Sequence, residues 1–234
     1  MSDSPAKVQI VKSLPLHIQV YESLRSRILH GEFPAGSRIQ EQQISKEYCV
    51  SRSPVREAIR MLHNDELLMD SDRGLIVTPL KKADAIEIYE CRIVMEPFAA
   101  GLASQNIDDE TLLYLDELLH RVESLQAEHA SEHFSEIIEL NSEFHSIIIE
   151  NAQHKRIQSY IARNNALSTL LRANEFYQLG GRSEEFVEQH YRILDALKKH
   201  DRELAEECMK THILTDLAFF KKHAKLTADD DESF

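Results

Sequence analysis

A chain of 234 residues, 42% hydrophobic and 29% charged, has enough material for two small domains, each with its own core. Its net charge of −13 weighs against a general polyanion binder, but the charge is uneven: residues 1–80 hold 10 Lys/Arg and 10 Asp/Glu, and residues 81–234 hold 17 and 30. Cys49, Cys91 and Cys208 are too scattered for a disulfide framework or a CxxC motif, and no apolar run reaches membrane-spanning length. These features fit a reduced, cytoplasmic protein with no membrane partner.

Residues 1–14 lack the apolar core of a signal peptide and are expected to be disordered. Residues 15–30 read as a first helix with Ile18, Tyr21, Leu24, Ile28 and Leu29 inward and Gly31 as its stop. After the turn Pro34-Ala35-Gly36, residues 41–48 form a short second helix carrying Ile44 inward, and Cys49-Val50 is a tight turn. The run from Val50 to Leu62 is the most informative stretch. Ser51 or Ser53 can cap a helix whose first turn admits Pro54, because first-turn amides have no intrahelical acceptor to lose. Val55, Ile59 and Leu62 then form one stripe, and Arg52, Arg56 and Arg60 recur at i+4 on another face. Such a helix suits the major groove of DNA, although an ordinary amphipathic surface helix would share the pattern. Leu67-Leu68-Met69 and Leu75-Ile76-Val77, separated by a turn containing Gly74, form a hairpin that would be the wing.

Pro79-Leu80-Lys81-Lys82 marks the junction, and it is the one connection expected between the two halves. Everything beyond it reads as helix, over about 82–105, 108–129, 132–151, 155–178, 183–198 and 201–225. Pro97 should kink or split the first of these. Asp108-Asp109 and Ser183 are plausible N-caps, and Gly180-Gly181 and residues 198–201 are turns. The fold class is therefore mainly α: an N-terminal winged helix-turn-helix with a small β-hairpin wing, over 15–79, and then an all-α bundle of six or seven helices over 80–226. An acidic tail follows at 227–234.

Polar residues fall on inward stripes of that bundle. Ile137, Asn141, Phe144, His145 and Ile148 share one face; Phe186, His190, Ile193 and Leu197 share another; His212 lies with Cys208, Met209 and Phe219. His190 is 10 residues before the turn near residue 200 and His212 is 12 after it. At about 1.5 Å per residue both imidazoles lie roughly 15–18 Å from the turn, on antiparallel helices. Three imidazoles and one amide oxygen at one level form a candidate divalent-metal site. Spacing alone leaves open the other reading, three separate histidines each bonded to a neighbour. The stripes Leu112, Leu115, Leu118, Leu119 and Leu167, Leu170, Leu171 read as bundle core and dimer contact.

Residues from about 16 to 78, through Val50-Ser51-Arg52-Ser53-Pro54-Val55-Arg56-Glu57-Ala58, resemble the DNA-binding domain of GntR-family bacterial transcription regulators. The resemblance implies DNA contacts by Arg52, Ser53, Arg56, Arg38 and Gln42, with Gly74 at the wing tip near the minor groove. Gln42 stands where the family often has arginine, and Cys49 replaces a common turn glycine. Residues from about 82 to 225 resemble the FCD ligand-binding domain of the FadR-type subfamily through Arg92-Ile-Val-Met-Glu96, Asn141-Ser-Glu-Phe144-His145, His190-Tyr-Arg-Ile-Leu-Asp195 and His212. This implies a divalent metal ion (zinc, nickel or manganese) on Asn141, His145, His190 and His212, and a small organic-acid effector. Arg92, inward with Ile88 and Met95, is suited to clamp the effector carboxylate; its other reading is an i, i+4 pair with Glu96, itself a structural residue.

The whole then reads as a homodimeric regulator on a double-stranded DNA operator with an inverted repeat, and not as an enzyme. The alternatives are a metal-dependent hydrolase or lyase with a DNA-binding module, and a regulator whose helical domain only dimerises. An enzyme would need an inward carboxylate as general base; Glu96, Asp195 and Asp216 are the choices.

Overall fold

The computed structural model describes residues 14–79, 81–129, 133–179 and 184–223. The first unit contains α1 (Leu16–Leu29), α2 (Glu41–Glu47), α3 (Arg52–Asn64), β1 (Leu68–Ser71) and β2 (Gly74–Val77). Val20, Leu24 and Ile28 recur every four residues on α1 and are buried against Ile44 of α2 and Val55, Ala58, Ile59 and Leu62 of α3. The stripe is thus centred one position off the sequence expectation: Ile18, Tyr21 and Leu29 flank it half-buried, and Val20 is in the core. Between α2 and α3, Cys49 takes φ 53°, the left-handed conformation usually given to glycine. Ser51 occupies the N-cap of α3, but its hydroxyl bonds no helix amide. Pro54, third in the helix, has removed one of the two N–H groups such a cap would use.

The wing is antiparallel, with Leu68 opposite Val77 and Ser71 opposite Gly74, which has φ +96°. A third extended segment joins it. Arg38 bridges to Ile76, Ile39 N–H donates to Leu75 O at 2.9 Å, and Val77 N–H donates to Ser37 O at 2.9 Å. The chain entering α2 is therefore pinned to the wing, an arrangement absent from the sequence reading.

The second unit is helical: α4 (Lys82–Asn106), α5 (Asp109–His129), α6 (Phe134–Asn151), α7 (Lys155–Leu179), α8 (Glu184–Lys198) and α9 (Arg202–His223). Asp108 caps α5 as expected, its Oδ1 accepting the Thr111 amide at 2.8 Å. Ser183 and Gly180-Gly181, like residues 1–13 and the acidic tail, lie outside the described residues. Pro97 does not split the first helix. It costs α4 one backbone hydrogen bond, and α9 packs antiparallel along both halves, from Tyr89 against Phe220 (centroids 5.9 Å) to Gly101 against Glu206. A Cβ on residue 101 would come within 2.4 Å of the Glu206 side chain, so glycine is what permits this approach.

The units are joined by more than the linker. Helix α7 serves both cores: Leu167 and Leu171 belong to the bundle, whereas Ala166 and Leu170 pack with Val20, Leu24 and Leu62 of the winged unit. Leu170 is therefore an interdomain residue, against the expectation that it is bundle core or dimer contact. His30 Nε2 also lies 3.5 Å from Glu139 Oε1 of α6, beside a cleft of about 480 Å³ between α1 and the α6–α7 pair. Replacing Leu170 with Ala should cost about 2–5 kcal/mol, the usual range for truncating a buried leucine. Urea unfolding should show this, with both units affected; a change below about 0.5 kcal/mol would mean the contact carries no load.

Candidate functional site

Three histidines meet inside the bundle. His145 from α6, His190 from α8 and His212 from α9 are all buried, and one ring nitrogen from each lies within 4.8 Å of the others. Ring centroids are 4.3 Å apart for His190 and His212, 5.2 Å for His145 and His212, and 5.6 Å for His145 and His190. The equal-depth argument from sequence thus holds for the α8–α9 pair. Phe144 and Phe186 wall the cluster, with rings 5.0 and 4.4 Å from that of His190.

The hydrogen bonds set the tautomers. His145 Nδ1 donates to Glu96 Oε2 at 2.8 Å, His190 Nδ1 to Phe186 O at 2.8 Å, and His212 Nδ1 to Gln189 Oε1 at 3.2 Å. With every Nδ1 engaged to an oxygen, the Nε2 lone pairs are left to face the middle of the cluster. His145 Nε2 and His212 Nε2 are 3.3 Å apart, and His190 Nε2 and Asn141 Oδ1 are buried without a hydrogen-bond partner. Two imidazole lone pairs at that distance repel unless a proton or cation lies between them. Burial, with His212 and His145 next to it, holds the His190 imidazole well below its ordinary value, so it is neutral near pH 7. The three Nε2 atoms, with the buried amide oxygen of Asn141 one turn from His145 on α6, are the donor set a divalent ion needs once the imidazoles are deprotonated.

Arg92 and Glu96, one turn apart on α4, are both buried. Arg92 Nε donates to Glu96 Oε1 at 2.7 Å, while Nη1 and Nη2 are buried without partners. Burial alone would raise the Glu96 carboxyl, but Arg92 and His145 more than offset it and hold the group well below the usual carboxylate range. The two sequence readings of Arg92 are therefore compatible: one edge of the guanidinium is paired with Glu96, and the other is free to meet an anion. Glu96 does more than the sequence suggested, because it also orients His145. The signal was there in Arg92-x3-Glu96 on a stripe with Tyr89 and Ala99. Asp216, which the sequence offered only as a general-base choice, is buried with Oδ2 3.6 Å from His212 Nε2, a neighbour on the pattern His212-x3-Asp216. Gln189 gave no signal beyond adjacency to His190. Asp195 is exposed, away from the cluster.

The second candidate surface is on the winged unit. Arg52, Ser53, Arg56 and Arg60 are exposed on α3, opposite its buried Val55, Ile59 and Leu62. Gln42 is exposed on α2, and next to it Glu41 holds Arg56, with Nε–Oε1 3.3 Å and Nη2–Oε2 3.2 Å. Arg38 lies over the wing tip, its Nε 3.4 Å from where a Cβ on Gly74 would be. The α2–α3 faces are thus linked through Glu41, and Arg38 is placed with Gly74 by the extra wing segment.

The two surfaces lie in segments that match known families. Residues 16–74 match the family model of bacterial regulatory proteins, gntR family, and residues 87–215 match the FCD domain. The HTH-type transcriptional regulator YdhC of Bacillus subtilis (strain 168) is 34% identical over 211 residues, spanning 90% of this chain and 93% of that protein. The gluconate operon transcriptional repressor of the same organism is 31% identical over 197 residues, 80% of this chain and 77% of its own. Among solved structures, McbR/YncC of E. coli shares the fold with a TM-score of 0.76 at 23% identity, covering 91% of this chain and 100% of that one. A transcriptional regulator GntR from Rhodococcus sp. RHA1 does so with a TM-score of 0.71 at 25% identity, over 89% and 99%.

Because the folded pKa of His190 lies below that of the unfolded chain, its contribution to stability is complete above about pH 6.5 and is lost as pH falls from there through the folded value. Metal-stripped protein should therefore unfold more readily as pH drops below about 6.5, and His190→Gln should flatten that slope. Denaturant midpoints measured across the range test this; an unchanged slope in the variant would contradict it.

Proposed function

Since the chain belongs to the gntR family of bacterial regulatory proteins and carries an FCD domain, we propose that this transcriptional regulator reports on a small organic acid held, together with a divalent ion, inside the helical bundle. One observation carries the reading: three Nε2 atoms face one another with every Nδ1 engaged, near a buried arginine whose Nη1 and Nη2 have no partner. Asn141, His145, His190 and His212 would hold the ion, which would supply a net positive charge and a Lewis-acidic position for an effector oxygen. Imidazole donors suit zinc or nickel; manganese, the third choice, prefers more oxygen ligands. Arg92 would bind the effector carboxylate through Nη1 and Nη2 while Nε stays on Glu96. The phenylalanines beside the histidines keep the surroundings apolar, which strengthens both contacts.

On the winged unit, Arg52, Ser53 and Arg56 would enter the major groove, with Arg38 and Gln42 near the phosphates and Gly74 at the minor groove. A homodimer would place two such units on an inverted repeat, in the bacterial cytoplasm where that DNA lies. Residues 1–80 are electrically neutral overall, so affinity rests on these few arginines and should be strongly salt-dependent. Helix α6 connects the surfaces. Its inner face carries Asn141 and His145; its outer face brings Glu139 and Ser142 to the cleft lined by Glu22, Arg25 and His30 of α1. A hydrolase or lyase is the weaker reading. Glu96 is already shared between Arg92 and His145, so it is not free to serve as a general base.

After incubation with zinc, nickel or manganese and removal of the excess, the protein should retain close to one ion per chain, as fits a single buried donor set. His190→Ala should lose it. Glu96→Gln should weaken it about 10- to 100-fold, the usual effect of losing a group that orients a histidine ligand. Elemental analysis with chelator competition decides; a metal content unaffected by His190→Ala would overturn the site. For DNA, Arg56→Ala should cost about 1–3 kcal/mol against a duplex selected by the wild-type protein. Unchanged affinity in a gel-shift titration would remove α3 from the interface.

A further inference from the structure

Asp216 of α9 is a third buried charge at the centre of the bundle, 3% exposed and with Oδ2 3.6 Å from His212 Nε2. Helix α9 runs antiparallel to α4, from Phe220 at Tyr89 to Glu206 at Gly101. That register sets His212 roughly level with Glu96, and Asp216, one turn on, roughly level with Arg92. The Asp216 charge also reaches the guanidinium. Burial works against the Arg92 cation, and Glu96, Tyr89 and Asp216 together hold it above its ordinary range. Asp216 therefore stands beside the histidine cluster and at the level of Arg92, the two places where the effector of the functional reading would bind.

With the imidazoles neutral, Arg92, Glu96 and Asp216 are the buried charged side chains among the described residues. One cation and two anions sum to −1, and a divalent ion on the histidines brings the centre to +1. A ligand with a single negative charge neutralises it. A dicarboxylate would leave one negative charge in excess in a low-dielectric interior, where an uncompensated charge is costly. An amino acid, neutral overall as a zwitterion, would leave the positive charge standing. Asp216 also constrains the polar contact. An ionised carboxylate only accepts hydrogen bonds, at about four lone-pair sites, so a ligand group facing it must donate. A hydroxyl donates without bringing charge, and its bond adds to the contacts that Asp216 makes within the protein. A methylene in the same place would exclude water from the carboxylate and return no bond.

We propose that Asp216 selects the effector as a singly charged hydroxy acid, with its carboxylate on Arg92 and its hydroxyl donating to Asp216 beside the ion. The inference rests on the functional reading and narrows it. Calorimetric titration of the zinc-saturated, full-length protein with matched acids of three to six carbons tests it. Each set holds the plain monocarboxylate, its 2-hydroxy and 2-amino derivatives, and the dicarboxylate of the same length. The 2-hydroxy monocarboxylates should bind best, about tenfold or more tighter than the plain acids, the usual worth of a hydrogen bond to a charged group. Asp216→Ala, which removes the acceptor, should erase that advantage. Asp216→Asn leaves the loaded centre at +2, so dicarboxylates should gain about tenfold or more relative to monocarboxylates. Each comparison is a ratio of affinities within one protein, which a partly unfolded variant could not mimic, and zinc content is checked for every variant. Wild type that binds plain acids or dicarboxylates as tightly as hydroxy acids would overturn the proposal. So would Asp216→Asn with the wild-type order of ligands. A zinc-loaded wild type that binds none of the acids would overturn the functional reading, and this inference with it.

Discussion

An ionised carboxylate enclosed in a helical bundle must find its compensation among its neighbours, and Glu96 finds it in two directions. One oxygen is taken by Arg92 and the other by His145. Without Arg92 the charge would be costly enough to neutralise itself by taking up a proton. Without Glu96 the imidazole could choose either tautomer, and the guanidinium would be a buried cation with no partner. This single carboxylate therefore fixes which nitrogen of His145 faces His190 and His212, and which edge of Arg92 stays open. Phe144 and Phe186 stand against His145 and His190 and keep the surroundings of the cluster apolar. What remains is a centre that is nearly satisfied on its periphery and unsatisfied in its middle.

The packing determines where a change at that centre can go. Asn141 and His145 belong to α6, whose opposite face meets α1 across the cleft, and α7 beside it gives alternate faces to the two cores. Close-packed interiors do not deform continuously, so a shift of α6 is passed to its neighbours or prevented by them. The winged unit reads as docked on the bundle through Ala166, Leu170 and the His30–Glu139 contact rather than suspended from Pro79. A ligand changes this arrangement only by binding one geometry better than another.

Much of this was legible in the sequence because it rests on short-range rules. Helix periodicity, the Gly74 turn and the cap at Asp108 place the elements to within a few residues, and the depths of His190 and His212 from one turn predict that they meet. Asn141 was visible on the inward stripe of His145, and the resemblance to a known family added Arg92 to the site. What was not legible depends on partners far along the chain. Pro97 stays helical because α9 lies against both halves of α4; residues 37–39 extend the wing because β2 has a free edge; Leu170 turns away from Leu171 because the winged unit is there to receive it. Glu96 was underestimated for the same reason. An i, i+4 pair with Arg92 is visible locally, whereas its second bond, to His145, spans 49 positions.

The central claim is that the buried centre and the DNA-reading surface share one free energy. Isothermal titration of a small carboxylate that raises the melting temperature of the metal-loaded protein, with and without a selected operator duplex, measures that quantity directly. Linkage requires the effector to bind more or less tightly in the presence of DNA by the same factor that it changes DNA affinity, about 5- to 150-fold for a coupling of about 1–3 kcal/mol. Equal effector affinities in the two titrations would show that the bundle and the winged unit act independently.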